Sequence, residues 1–206
     1  MSGILSRLAR CRSGAGAAEF ALVLPLLLLF LFGIIDVGRV MWMWNRAEKA
    51  TQMGVRYAVA TDMIPAGLYS YSFAVSPSNP TGVSQGDPIP EGSFGGATCT
   101  STGCTCDPGK TCPPLGTASA SAFAGIVQRM QAFLPDIQAA NVIVKYGYSG
   151  LGYAGDPNGS DVAPLVTVSL TGLTFRPITF LAFTTITLPD FRAALTLEDG
   201  EGAFSN

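Results

Sequence analysis

The chain contains no histidine among its 206 residues. This absence excludes Ser-His-Asp and Cys-His catalysis, histidine-ligated metal sites and imidazole pH switches. Charge is also scarce, because Asp, Glu, Lys and Arg make up only 13% of the residues, against roughly 25% in an ordinary soluble domain. The formal net charge of −2 does not indicate a basic surface of the kind that binds nucleic acid. Since no nucleophile has a base beside it in a recognised motif, we expect no enzyme, no cofactor and no nucleic-acid partner.

An apolar run near the N-terminus stands out against this background. Residues 20–35 carry no polar side chain. At about 1.5 Å of rise per residue, a helix over residues 17–36 spans roughly 30 Å, the thickness of the hydrocarbon core of a bilayer. Three arginines and no acidic residue precede Glu19, and such basic flanks stay in the cytoplasm. The run therefore predicts a single crossing of the lipid bilayer, with the N-terminus inside and the rest of the chain outside.

A secretory signal peptide, removed after export, is the alternative explanation of this run. The run is too long for that class of segment, and no A-x-A cleavage site ends it. The following residues continue a helical pattern, with apolar positions at Val37, Met41, Trp44, Thr51, Val55 and Ala58. We therefore expect a retained anchor that extends as one helix over about residues 17–60, whose second half covers a soluble head.

The sequence at the start of this helix resembles a known family. Residues 14–20, GAGAAEF, resemble the cleavage site of type IV prepilin-like proteins, and the pair Glu19-Phe20 resembles the Glu-aromatic pair of the tight-adherence (Tad) branch. The likeness continues in FGIIDVGR at residues 32–39, in NRA at 45–47 and in GVRYA at 54–58. Together these motifs resemble the TadE-like family of pseudopilins.

This resemblance implies a maturation step and an assembly contact. A prepilin peptidase would cleave after Gly14 on the cytoplasmic face and leave Ala15 as the new N-terminus. Glu19 would then pair with the terminal amine of a neighbouring pilin-like subunit, which offsets the cost of removing its charge from water. The residues also allow a simpler explanation of Glu19, because in a helix that starts near residue 17 it lies in the first turn, where the helix dipole favours an anion.

The implied function is that of a minor pseudopilin in the assembly of a Tad-type pilus. The protein would be held in the bacterial inner membrane with its head in the periplasm, among other pilin-like subunits and inner-membrane assembly proteins. A different class of function remains open at this point. In that alternative, the chain is an unprocessed, single-pass, membrane-anchored binding protein whose cysteine-bearing loop binds an extracytoplasmic ligand.

Four of the five cysteines lie in a loop rich in Pro, Gly and Ser, namely Cys99, Cys104, Cys106 and Cys112. An even number outside the cytoplasm predicts two disulfides. A bond between Cys104 and Cys106 would be strained. We therefore expect Cys99 and Cys112 each to form a disulfide with one of these two, which leaves two connectivities open. A four-thiolate zinc site is disfavoured, because C-x4-C-x-C-x5-C fits no usual zinc spacing. We therefore expect no metal.

The remaining patterns predict an α+β fold. We expect a basic leader at residues 1–14, the long helix at 15–60, the disulfide loop as an insert at 61–117 and an α+β head at 118–206. In the head, a helix over residues 122–133 capped by Ser119 or Ser121 precedes strands at 142–146, 165–170, 185–188 and 191–197. Residues 68–75 in the loop are predicted as a further strand.

An Asp- and Asn-rich stretch at 156–161 begins like a calcium loop, but its sixth position is Asp161 and not Gly, which favours a simple turn.

Overall fold

The computed structural model describes residues 14–157, 159–178 and 184–202. The predicted leader lies outside the described residues apart from Gly14. The chain forms two compact units. The first, which we call the anchor unit, comprises the chain up to Trp42 together with Thr174–Ile186. The second, which we call the head unit, comprises Met43–Leu173 together with the chain from Thr187 onward.

Helix α1 runs from Ala15 to Val59, a length of 45 residues, and contains Pro25. The long N-terminal helix predicted over residues 17–60 is therefore confirmed. Pro25 has no N–H to donate, but the helix continues on both sides of it, as apolar helices in membranes commonly do.

The part of α1 in the head unit buries one face. Its buried positions recur at the three- and four-residue spacing of a helix face, and they are Ala47, Ala50, Thr51, Val55, Ala58 and Val59. Trp44 is predicted to belong to this face, but 36% of its surface is exposed. Its ring instead packs edge-on against Phe191, with the centroids 5.1 Å apart, and its Nε1–H donates to Glu48 at 2.7 Å.

A five-stranded antiparallel sheet forms the centre of the head unit. Its strands are β1 (Gly96–Thr100), β2 (Gly103–Cys106), β3 (Val142–Gly147), β4 (Leu165–Leu170) and β7 (Phe191–Thr196), in the spatial order β2-β1-β3-β4-β7. Val144 pairs with Cys99 on one side and with Val168 on the other. Alternate residues of β3 and β4 are buried, as expected for a sheet with one face on the core. A separate two-stranded sheet joins β5 (Thr174–Phe175) to β6 (Ile186–Thr187).

Two short helices complete the fold, α2 (Ala66–Ser70) and α3 (Ala120–Gln131). Ser119 caps α3, because its side chain accepts from the N–H of Ala122, which resolves the choice between Ser119 and Ser121. A turn of 3₁₀ helix, Ala139–Asn141, precedes β3. The α+β class, the long apolar helix and the small antiparallel sheet are as predicted.

Residues 68–75 do not form the predicted strand. The chain makes the helix α2 there, and Leu68 is fully buried. Pro65 precedes this helix and is suited to its start because its φ is already near the helical value. Gly67 approaches the backbone of Leu115 so closely that a Cβ would lie 2.7 Å from its carbonyl carbon. The contact between Gly67 and the backbone of Leu115 is a tertiary one, which strand propensity does not predict.

Helices α1 and α3 touch through a pair of glycines, one on each helix. A Cβ on Gly54 would lie 2.7 Å from Cγ of Met130 on α3 and 3.4 Å from Cγ1 of Val168 in β4. A Cβ on Gly125 would lie 2.8 Å from the hydroxyl of Tyr57 on α1. The missing side chains allow the two helices to approach closely above the sheet, so the packing of the head unit depends on these positions.

We predict that Gly54→Leu destabilises the head unit by about 1–3 kcal/mol, because extra methylenes in a packed core force their neighbours to move. Thermal unfolding of the full chain in detergent, followed by circular dichroism, measures the effect. Gly38→Leu is the matched control, since in the described part of the chain no neighbouring group lies within 4 Å of the Cβ position of Gly38 on the same helix. Equal unfolding temperatures for the two variants would contradict the prediction.

Candidate processing and assembly segment

Gly14 directly precedes α1 and is exposed. No heavy atom of the described residues beyond its chain neighbours and its own helix lies within 4 Å of the position that a Cβ would occupy, and its φ is not in the left-handed region. The described part of the chain therefore does not need glycine at this position for either space or backbone conformation. A requirement for glycine at residue 14 would have to be imposed by another molecule that contacts this residue.

Glu19 is exposed on the fifth residue of α1. The sequence predicts that it lies in the first turn, but α1 begins at Ala15 and has no acidic residue in its first turn. The free backbone N–H groups of the helix belong to the four residues before Glu19, so the helix dipole favours its charge less than predicted, since that effect falls off beyond the first turn. The helix dipole therefore explains a carboxylate at residue 19 less well than the sequence suggests.

The side chains that follow Glu19 form an apolar surface without a protein partner in the described chain. Phe20 is 61% exposed and Leu26 60% exposed. The most apolar window of α1 has a mean hydropathy of 2.7, and 6% of it is buried. Helix α1 is thus long and apolar enough to cross a membrane.

Asp36 ends the apolar run and is buried, with 8% of its surface exposed. Its carboxylate accepts the backbone N–H of Ile178 through both oxygens, at 2.9 and 3.1 Å, and forms an ion pair with Arg39 at 3.1 Å. The guanidinium of Arg39 also lies 5.0 Å from the ring centroid of Phe175, within the range of a cation–π interaction. Asp36 therefore holds the segment after β5 against α1 within the anchor unit.

Sequence reasoning missed this role of Asp36. The signal available in the sequence was an acidic residue at the end of an apolar run with an arginine three positions later, a spacing that brings the two side chains together on a helix. The partner N–H of Ile178 lies 142 positions away, and nothing in the local pattern indicates it.

The head-unit part of α1 carries a further contact. The Nε–H of Arg46 donates to the carbonyl of Phe133, just after the end of α3. A cation is stabilised there, because unpaired carbonyls and the negative end of the helix dipole meet at a helix C-terminus. Ala47 and Ala50 beside it are fully buried, so the side chains at these positions must be small.

Comparison with known families adds one finding to this geometry. Residues 14–56 match the family model described as TadE-like protein. The chain carries a TadE-like segment. The match confirms the predicted resemblance, and it associates the chain with proteins related to the Tad pilus. No curated protein and no solved structure was found to match.

The TadE-like segment covers about a fifth of the chain, and its motifs fall in two different environments. Glu19-Phe20 and the residues around Asp36 belong to the anchor unit, whereas Arg46, Ala47 and Gly54 pack within the head unit. The second group therefore has a packing explanation in the head. Gly14 and Glu19 have none in the described chain.

The cysteine loop beyond the TadE-like segment contains two disulfides. Cys99 bonds to Cys104 and Cys106 bonds to Cys112, which is one of the two connectivities that the sequence leaves open. The loop also supplies the hairpin of β1 and β2, in which Cys99 and Cys104 are directly paired. Sequence reasoning did not find these strands, and burial of Cys99 shows that part of the loop belongs to the core.

Asp107 links this hairpin to β3. It accepts from the hydroxyl of Thr98 at 2.6 Å and pairs with the ammonium of Lys145 at 3.0 Å. Partial burial by itself raises the pKa of the Asp107 carboxyl, but the hydrogen bonds from Thr98 and Lys145 and the charges of Lys145 and Lys110 outweigh it, so that the pKa is lowered. The carboxylate is therefore ionised at neutral pH and stabilises the disulfide hairpin.

Asp161 is the most fully hydrogen-bonded carboxylate described in the head unit. It is 3% exposed and accepts the backbone N–H groups of Phe73 at 2.6 Å, Gly155 at 2.8 Å and Asp156 at 2.9 Å. Because its oxygens face N–H donors, Asp161 holds these loops together as a clasp; Asn158 of the same stretch lies outside the described residues. Among the residues that the structure describes, no group of three or more Cys, Asp or Glu is arranged to hold a metal ion.

We predict that Asp161→Asn destabilises the full chain by about 1.5–3 kcal/mol, the range for hydrogen bonds to a charged group. The amide has a single acceptor oxygen, so at least one backbone N–H would face an NH₂ group. Chemical denaturation in detergent measures the loss. Asp87→Asn, which changes an exposed carboxylate of the same unit, serves as the control, and an equal effect of both substitutions would rule out the clasp.

Proposed function

We propose that this protein is a minor pseudopilin that takes part in the assembly of a Tad-type pilus. The observation that carries the proposal is Gly14, an exposed glycine that the described fold does not require, at the first residue of the TadE-like match and directly before α1. A peptidase that binds the backbone in extended form favours glycine, since a side chain would keep the enzyme from close approach. We infer that a prepilin peptidase cleaves after Gly14.

Glu19 supplies the assembly contact in this proposal. Cleavage leaves an amine on Ala15, and Ala15 and Glu19 lie one helical turn apart. An ionised carboxylate at the edge of the membrane is costly unless a cation pairs with it. In the assembled state Glu19 pairs with the amine of a neighbouring pilin-like subunit, while the exposed apolar surface of α1, which begins at Phe20, packs against lipid and neighbouring helices.

The two disulfides support a head outside the cytoplasm, because such bonds form and persist in oxidising compartments. Together with the basic N-terminal flank, they support an inner-membrane anchor with a cytoplasmic N-terminus and a periplasmic head. Partners in this location are the prepilin peptidase, other pilin-like subunits and inner-membrane assembly proteins. The role proposed is structural and not enzymatic.

We predict that the protein purified from membranes of its own host begins at Ala15 and that Gly14→Val blocks this processing. The reason is that a branched side chain at residue 14 prevents the close backbone approach. Intact-protein mass spectrometry reads the N-terminus of both forms. Gly38→Val is the control for general effects on membrane insertion, since it places the same side chain at another open glycine of α1.

An unprocessed chain that still carries Met1 or Ser2 would contradict the pseudopilin proposal. It would favour the alternative, a membrane-anchored binding protein in which residue 14 has no special role. A Gly14→Val chain that also starts at Ala15 would show that the peptidase accepts a branched side chain, so that close backbone approach could not be the reason for glycine at residue 14.

We predict that Glu19→Ala yields a membrane protein that is processed normally but no longer associates with the other pilin-like subunits. Loss of the carboxylate removes the partner of the neighbouring amine while leaving the apolar surface unchanged. Co-purification with the pilus and electron microscopy of the host cells measure the effect. Glu48→Ala, at the next glutamate of α1, is the control, and a normal pilus in the Glu19→Ala strain would disprove the role of Glu19.

A further inference from the structure

The anchor unit contains a second group of exposed apolar side chains besides the surface of α1. Ile178 is 60% exposed and Ile186 is 46% exposed, and β6, which begins at Ile186, pairs with β5. In the sequence, no charged residue other than Arg176 occurs between Thr174 and Leu188. On α1, Trp42 is 66% exposed one turn beyond Arg39. We call Arg39, Trp42, Ile178 and Ile186 the interfacial patch.

The position of Asp36 along α1 fixes the depth of this patch. If Glu19 marks the cytoplasmic edge of the hydrocarbon core, Asp36 lies about 26 Å further along the helix axis at 1.5 Å per residue. The hydrocarbon core is roughly 30 Å thick, so Asp36 and the N–H of Ile178 bonded to it lie at its outer boundary. Tilt of the helix moves this level deeper into the membrane.

The polar contacts at this level are those that a lipid environment requires. A backbone N–H in hydrocarbon must have an acceptor, and both oxygens of Asp36 lie within hydrogen-bond distance of Ile178 N. A carboxylate there needs a cation, and Arg39 supplies one. Arg39 is also 42% exposed at its side chain, as expected for an arginine whose charged end reaches the headgroups. Trp42, at the headgroup level, is of a residue type enriched there.

We propose that the interfacial patch docks in the outer leaflet of the bilayer, so that Ile178 and Ile186 form a second membrane contact beside α1. This inference rests on the proposed membrane anchor. Its occupant is lipid, because the patch continues the apolar surface of the spanning helix and combines exposed apolar side chains with an arginine at the headgroup level.

Site-directed spin labelling of the full chain in phospholipid vesicles tests this proposal. The background is Cys11→Ser, and the four bonded cysteines do not react with the label when reductant is omitted. Nitroxides are placed by Ile178→Cys, by Leu27→Cys within the apolar run and by Leu151→Cys, an exposed apolar position of the head unit. Accessibility to oxygen and to a water-soluble nickel chelate is then compared.

We expect the ratio of oxygen to nickel accessibility at residue 178 to be several-fold higher than at residue 151 and lower than at residue 27, because residue 27 lies deeper in the hydrocarbon core. Asp36→Ala is expected to increase the mobility of the label at residue 178 and leave that at residue 151 unchanged. If the Ile178→Cys protein fails to fold, Ile186→Cys provides the second site.

Two results would overturn the inference while leaving the anchor intact. One is a label at residue 178 as accessible to nickel as that at residue 151 while residue 27 is in lipid. The other is protection of residue 178 with spin–spin broadening that disappears on dilution with unlabelled protein, which would mean that a neighbouring copy covers the patch. A water-accessible label at residue 27 would instead refute the membrane anchor and the proposed function with it.

Discussion

The close approach of α1 and α3 at Gly54 is the contact on which the head unit depends. A Cβ at this position would press on Met130 and touch Val168, so three elements meet where one side chain is missing. Ala47, Ala50 and Ala58 extend the same narrow face of α1 and are fully buried. Small residues are required because packed interiors leave no free volume for larger ones. The packing of α3 and β4 on α1 therefore requires this face to be unobstructed.

The TadE-like segment serves two environments with one continuous helix. From Phe20 to Ile35 its large apolar side chains are exposed, a surface that only lipid or another apolar helix stabilises. From Ala47 onward its small side chains are buried against the head. Gly14 and Glu19, at the start of the segment, have no packing explanation among the described residues, and the proposals of cleavage and of assembly rest on them.

Several aspartates connect distant parts of the chain through their carboxylates. Asp36 binds the N–H of Ile178, Asp107 joins the disulfide hairpin to Lys145 of β3, and Asp161 binds three backbone N–H groups of two loops. In a chain with only 13% charged residues, the two buried carboxylates of this group, Asp36 and Asp161, satisfy backbone donors that regular hydrogen bonding leaves free. Asp36 does this at the boundary of the apolar run.

The sequence by itself determined the long helix, helix α3 with its serine cap and the strands β3, β4 and β7, because periodic burial and capping are local patterns. It also indicated the TadE-like segment and the need for two disulfides.

The sequence did not determine that residues 66–70 are helical, that the cysteine loop supplies β1 and β2, or which of the two central cysteines forms a disulfide with Cys99. Nor did it find Asp36 and Asp161 as clasps, since their partners Ile178 and Phe73 are 142 and 88 positions away. Tertiary structure decided these features, because they depend on which distant groups meet and not on any pattern along the chain.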